Sequence, residues 1–195
     1  MRYSRLLLLC AACMLAGASA RAGTVLTFEG LDDLQFVDNF YSGVTFNNAV
    51  ALVAGFDLND AEFPPLSGLT VATPAHAPLS IVFDAPITDF QAAFTHSDTL
   101  TLLFFLGPDQ VGSVSSTFTN NLALSGDEGS SPNEILSFHN DLTFNSVQFS
   151  GGGIFVLDDV AFNAAPGSTS DAPEPVGVGL AGIGLVALCI ARRRR

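Results

Sequence analysis

The sequence predicts an all-β chain, folded as an antiparallel two-sheet sandwich of jelly-roll type, on three observations. Between Gly23 and Asn163 short apolar runs recur at hairpin spacing, and no segment shows a helical period. Several runs alternate: Thr99-Leu100-Thr101-Leu102 changes face at every residue, and Phe144-Asn145-Ser146-Val147-Gln148-Phe149 does so with one slip. All 17 phenylalanines lie between Phe28 and Phe162, a supply of large side chains suited to the space between two sheets.

The elements follow in order. Thr24 to Phe28 reads as a short strand and Gly43 to Val53 as a longer one, with Val44, Phe46, Val50 and Leu52 apolar. Leu69 to Thr73 is the third. Leu79 to Phe83 and Ile87 to Thr95 are separated by Asp84-Ala85-Pro86, a turn signal. Thr99 to Leu106 and Val111 to Thr119 flank Gly107-Pro108-Asp109-Gln110, a hairpin loop. Ile135 to Phe138, Leu142 to Phe149 and Ile154 to Phe162 close the series. Asp57 to Gly68 and Leu124 to Glu134 read as long surface loops, and residues 164–172 as a Pro/Gly/Ser/Thr linker. Thr99 to Leu106 is apolar and β-prone, an aggregation hazard if it forms a sheet edge.

Charge is segregated. The seven basic residues are all arginines, at Arg2, Arg5, Arg21 and Arg192 to Arg195. The 19 acidic residues all lie between Glu29 and Glu174. The domain between the ends is therefore anionic with no cation, which excludes nucleic-acid binding through phosphate neutralisation. Cations, divalent ions above all, would relieve its self-repulsion. Cys10, Cys13 and Cys189 sit in the two terminal apolar runs, so the domain is built without disulfides or thiolate metal sites.

Residues 1–22 have the layout of a secretory signal peptide. Arg2 and Arg5 form the charged start, and Leu6 to Leu15 is an apolar run too short to span a bilayer. Small-x-small cleavage signatures follow at Ala18-Ser19-Ala20 and Ala20-Arg21-Ala22. The far end, residues 173–195, carries Pro173-Glu174-Pro175, an apolar run from Val176 to Ala191, and Arg192, Arg193, Arg194 and Arg195. As a helix, residues 176–191 would be about 24 Å long, short but able to span with local thinning. The arginines would hold that end in the cytoplasm and the domain outside.

These three parts, in this order behind a signal peptide, resemble the PEP-CTERM sorting signal of Gram-negative bacteria. The resemblance implies recognition by exosortase, a transient membrane anchor removed on processing, and delivery to the cell surface or the extracellular polysaccharide matrix. The physical logic agrees: an apolar helix stops the chain in the membrane, and two prolines hold the preceding segment extended.

The domain has a fainter resemblance to lectin-like and carbohydrate-binding jelly rolls. It rests on Leu79-Ser80-Ile81-Val82-Phe83-Asp84-Ala85-Pro86 and Phe155-Val156-Leu157-Asp158-Asp159-Val160-Ala161-Phe162. It implies a structural Ca2+ held by Glu29, Asp158 and Asp159. Adjacent strand residues point to opposite faces, so one of the two aspartates at most would enter such a site. The Asp57-Leu58-Asn59-Asp60-Ala61-Glu62 stretch lacks the sixth-position glycine of an EF-hand loop.

No catalytic motif stands out. His76, His96 and His139 lie in no metal-protease arrangement, and His96-Ser97-Asp98 are strand neighbours that cannot form a triad. The expected function is non-enzymatic: an exported protein sorted to the cell surface or matrix, with a calcium-supported carbohydrate-binding module as the alternative. Tyr41 is the only tyrosine past the signal peptide and the chain has no tryptophan, so sugar stacking would fall to phenylalanine. Asn47, Asn48, Asn120, Asn121 and Asn140 could bond hydroxyls but read first as turn residues.

Overall fold

A computed structural model describes residues 23–163. The signal peptide, the linker, the Pro173-Glu174-Pro175 motif, the apolar run and Arg192 to Arg195 lie outside the described residues. Nine strands form: β1 (Thr24–Leu26), β2 (Val44–Asn47), β3 (Ala49–Val53), β4 (Thr70–Pro74), β5 (Ser80–His96), β6 (Leu100–Leu106), β7 (Asp109–Ser115), β8 (Glu134–Gly151) and β9 (Phe155–Phe162). There is no helix among the described residues, and every strand pairing is antiparallel.

The strands hydrogen-bond in the order β3-β4-β9-β5-β8-β6-β7, with β1 against β9 and β2 against β5. β5 and β8 are long enough to belong to both layers of the sandwich. The start of β5 pairs with β2 and with the end of β8, which passes on to β6 and β7. The end of β5 pairs with the start of β8 and with β9, which passes on to β4, β3 and β1. The layers meet face to face through phenylalanines that are not ladder neighbours. Ring centroids are 5.8 Å apart for Phe94–Phe149, 5.7 Å for Phe90–Phe104 and 5.0 Å for Phe83–Phe162.

The expected turn at Asp84-Ala85-Pro86, and the expected gap between Phe138 and Leu142, prove to lie inside these long strands. The β5–β8 register shifts between Val82 and Ile87 and again between Ile87 and Asp89. The first shift leaves Asp84-Ala85-Pro86 out of register, where proline's missing N–H costs no ladder bond. Together the shifts change the parity of the buried face, from Ile81, Phe83 and Ile87 to Phe90, Ala92 and Phe94. The same offset on β8 explains the slip between Phe144 and Val147. Conversely, Gly43 to Val53 is not one strand: Asn48 adopts φ 59° and separates β2 from β3.

Ten phenylalanines are buried, among them Phe28, Phe46, Phe94, Phe104 and Phe144 at 0% exposure. Phe36, Phe40 and Phe56 are not, the last being 79% exposed. The feared edge does not arise for Thr99 to Leu106, because β6 runs between β7 and β8. At its end Gly107 takes φ 60° and Leu106 pairs directly with Asp109, a tight two-residue hairpin.

Candidate functional site

β4 and β9 pair at Ala72 and Leu157, and the two ends of this pair carry different chemistry. At one end lie the acids picked out from the sequence. Glu29 follows Phe28, which takes φ 61° two residues past the end of β1. Its Oε1 accepts the backbone N–H groups of Leu69 and Thr70, both at 2.9 Å. Asp158 Oδ2 accepts the N–H groups of Leu66 at 2.8 Å and Ser67 at 3.0 Å, and its Oδ1 accepts Asp159 N–H at 2.8 Å. The Ser67 hydroxyl donates to Asp159 Oδ1 at 2.7 Å. Glu29, Asp158 and Asp159 thus converge on one segment, residues 66–70.

The two aspartates do not face opposite ways. Between Ala161 and Asp158 strand β9 carries one residue more than its partner β5, and Asp159 takes φ 48°. This bulge breaks the two-residue alternation and turns both carboxyl groups toward Ser67. Asp158 is 1% exposed. Burial pushes its pKa up to about 6, the backbone amides pull against that, and the Asp159 charge adds to it.

As placed, these residues do not fit a calcium cage. Calcium wants six to eight oxygens turned toward it. Here both oxygens of Asp158 and one of Glu29 face N–H donors, whose positive ends occupy the space a cation would need. Among the described residues no group of three His, Cys, Asp or Glu side chains is arranged to hold a metal ion. The chemistry the arrangement does perform is to close the Asp57 to Gly68 loop onto the sheet. Tyr41 borders this cluster, packed edge-on to Phe28 and Phe40 at 6.1 and 5.0 Å. Its hydroxyl is buried without a hydrogen-bond partner. Burial raises its pKa, with Glu29 and Asp158 adding to the shift; the Phe28 backbone pulls the other way without forming a well-aligned bond.

At the other end of the β4–β9 pair a cleft of about 460 Å³ opens to solvent. One wall is the β4–β5 connection, Pro74-Ala75-His76-Ala77-Pro78; the other is the β8–β9 connection around Gly151 and Gly153. Phe149 and Phe155 are buried at its floor with centroids 5.8 Å apart. Gly151, Gly152 and Gly153 take φ of 74°, 84° and 58° in succession. A β-carbon on Gly152 would stand 2.8 Å from Phe155 and 2.9 Å from Leu100, so any other residue there strains the wall. No carboxylate lines the cleft.

Sequence reasoning missed this cleft. The signals were present in the glycine triplet and in the Pro74-to-Pro78 segment, which punctuate the chain without reading as chemistry. Two of the asparagines that read first as turn residues hold the backbone in place. Asn121 is 0% exposed and holds the His96 N–H and the Phe94 and Ser131 carbonyls; Asn140 holds the Val111 carbonyl. His96 is buried with Nε2 3.3 Å from Glu134, and His139 contacts Asp89 at 2.7 Å and Asp141 at 3.3 Å. The Asp89 carboxylate, and Asp141 to a lesser degree, raise the His139 pKa. Asp33 likewise raises the pKa of Asp57 through a hydrogen bond and its charge.

No family model and no curated protein matches the chain. Several solved structures of a family 29 carbohydrate binding module are similar to it. One mutant of that module has a TM-score of 0.42 at 10% identity, covering 80% of this chain and 99% of that one. Another mutant, complexed with mannohexaose, has a TM-score of 0.40 at 10% identity, covering 77% and 98%.

Proposed function

We propose that the chain is an exported, non-catalytic protein whose jelly-roll-type sandwich binds extracellular polysaccharide. Sorting follows the PEP-CTERM resemblance: a signal peptide starts export, the 176–191 helix anchors the chain transiently in the inner membrane, and exosortase acts near Pro173-Glu174-Pro175. The observation that carries the binding half is the cleft at the far end of β4 and β9, of a size within the ~300–1,000 Å³ typical of small-molecule sites. Its lining mixes apolar faces with a few polar groups, the usual composition of a binding pocket. The Glu29, Asp158 and Asp159 cluster serves the sandwich itself by latching a loop.

The test has two arms. The full chain, expressed in a host with and without an exosortase, is located by fractionation. Release to the surface only with the enzyme supports the sorting half; indifference to it overturns that half. The secreted chain is then exposed to immobilised neutral and acidic polysaccharides, with and without calcium. Retention on at least one glycan supports the binding half, and retention on none overturns it.

A further inference from the structure

The cleft between the Pro74-to-Pro78 segment and the glycine triplet points to a ligand class, and this step rests on the binding reading above. We infer that it takes an uncharged saccharide, with the sugar's C–H face against the prolines and its hydroxyls on His76, Ser150 and the Gly153 peptide.

Charge decides first. Of the 19 acids only Asp171 and Glu174 fall beyond residue 163, so seventeen lie in the described domain, with no lysine or arginine beside them. A uronate, sulfate or phosphate entering that field would meet net repulsion and no lysine or arginine to pair with. A metal ion would find no carboxylate in the lining. An uncharged ligand meets neither obstacle.

The lining then separates a sugar from an apolar molecule. Pro74 and Pro78 give rings with no donor, and Ala75 and Ala77 add small apolar surface between them. Against these stand the exposed His76 imidazole, the exposed Ser150 hydroxyl and the exposed Gly153. The Gly153 N–H and C=O make no hydrogen bond among the described residues. Imidazole, hydroxyl and peptide each offer a donor and an acceptor, as sugar hydroxyls do. A wholly apolar ligand would strip water from these groups and leave them unpaired.

Both walls are fixed before any ligand arrives. Gly152 donates to the Thr99 carbonyl at 2.9 Å, and its own carbonyl accepts Ser97 and Asp98 N–H, both at 3.2 Å. On the opposite wall Ala75 donates to the Asn48 carbonyl at 2.8 Å, and the Asn48 amide donates to the Pro78 carbonyl at 3.4 Å. A preformed cleft avoids much of the ordering cost of binding.

The experiment is an amide chemical-shift titration of the secreted, isotope-labelled chain. The probes are neutral hexasaccharides of mannose and of glucose, with a hexagalacturonate as the charged counterpart. At least one neutral probe should shift amides within residues 74–79 and 149–155, and the galacturonate should not. His76→Ala should weaken that binding roughly three- to tenfold, the worth of one hydrogen bond. Ala77→Leu, which fills the cleft from an exposed position, should abolish it with the melting temperature unchanged. Neutral-probe shifts that map elsewhere would overturn the cleft while leaving the polysaccharide reading intact. Equal binding of the galacturonate would overturn the ligand class. No shift with any probe would overturn the binding reading and this inference together.

Discussion

The two ends of the β4–β9 pair are built from the same strands and do opposite things with polarity. At the Thr70 end, Asp158 and Glu29 accept N–H groups of residues 66–70 and Asp159 accepts the Ser67 hydroxyl. At the Pro74 end, no carboxylate lines a cleft whose polar groups face solvent. In a domain without cations, carboxylates have no ion-pair partners beyond histidine, so backbone amides take that role. The lesson is that an acidic cluster in such a chain can be a fastening, while the cleft proposed to take the ligand is where the acids are missing.

The largest expected effect comes from breaking the fastening. Asp158→Ala removes the buried carboxylate that accepts the Leu66 and Ser67 N–H groups and should cost about 2–3 kcal/mol in urea unfolding. A loss near zero would show that the loop is held by something else. Gly152→Ala at the other end should cost about 1–3 kcal/mol, because φ 84° strains an alanine and its β-carbon meets Phe155 and Leu100. Full stability in that variant would mean the glycine triplet is not what shapes the wall.

The pH dependence sharpens the contrast. Asp158 holds its proton more tightly folded than unfolded, with a pKa raised from 3.8 to about 6. Its contribution to stability is therefore complete below 3.8 and is lost as pH rises through about 6, a change of roughly 3 kcal/mol at most. His139, also raised by its carboxylate neighbours, adds in the same direction: its contribution is present below 6.5 and lost above that. The melting temperature should thus rise as pH falls from 8 to 5, and Asp158→Asn should flatten most of that slope. A profile that falls toward acid would contradict the burial of an ionised Asp158. His139→Ala, at an exposed site, should have the smallest effect, flattening only the alkaline part of the profile.

Calcium provides a separate check on the Thr70 end. With the carboxylate oxygens facing N–H donors, chelation should leave the melting temperature unchanged, and calcium should raise it no more than magnesium does. A calcium-specific rise would restore the ion implied by the jelly-roll resemblance.

Much of the fold was legible because burial follows alternation: Leu100, Leu102 and Phe104 are buried as the two-residue period requires. The site was legible in part. The pairing of terminal strands that would bring Glu29 near Asp158 follows from jelly-roll topology, and β1 does pair with β9. The joint inward turn of Asp158 and Asp159 was not legible, because a single residue in a bulge reverses a face and nothing in Leu157-Asp158-Asp159-Val160 announces one. Asp84-Ala85-Pro86 misled for a related reason: a proline at an out-of-register position has the same composition as a turn. The cleft was hidden because its floor phenylalanines count as core and its walls are made by backbone shape.

The division of labour between the two ends can be tested in one calorimetric comparison. The secreted chain, Ala77→Leu and Glu29→Gln are each melted and titrated with the neutral hexasaccharide that binds best. The expected result is a double separation: Ala77→Leu loses binding at unchanged melting temperature, while Glu29→Gln melts lower and binds as the parent does. Loss of binding in Glu29→Gln with full binding in Ala77→Leu would contradict it, placing the ligand at the carboxylate end.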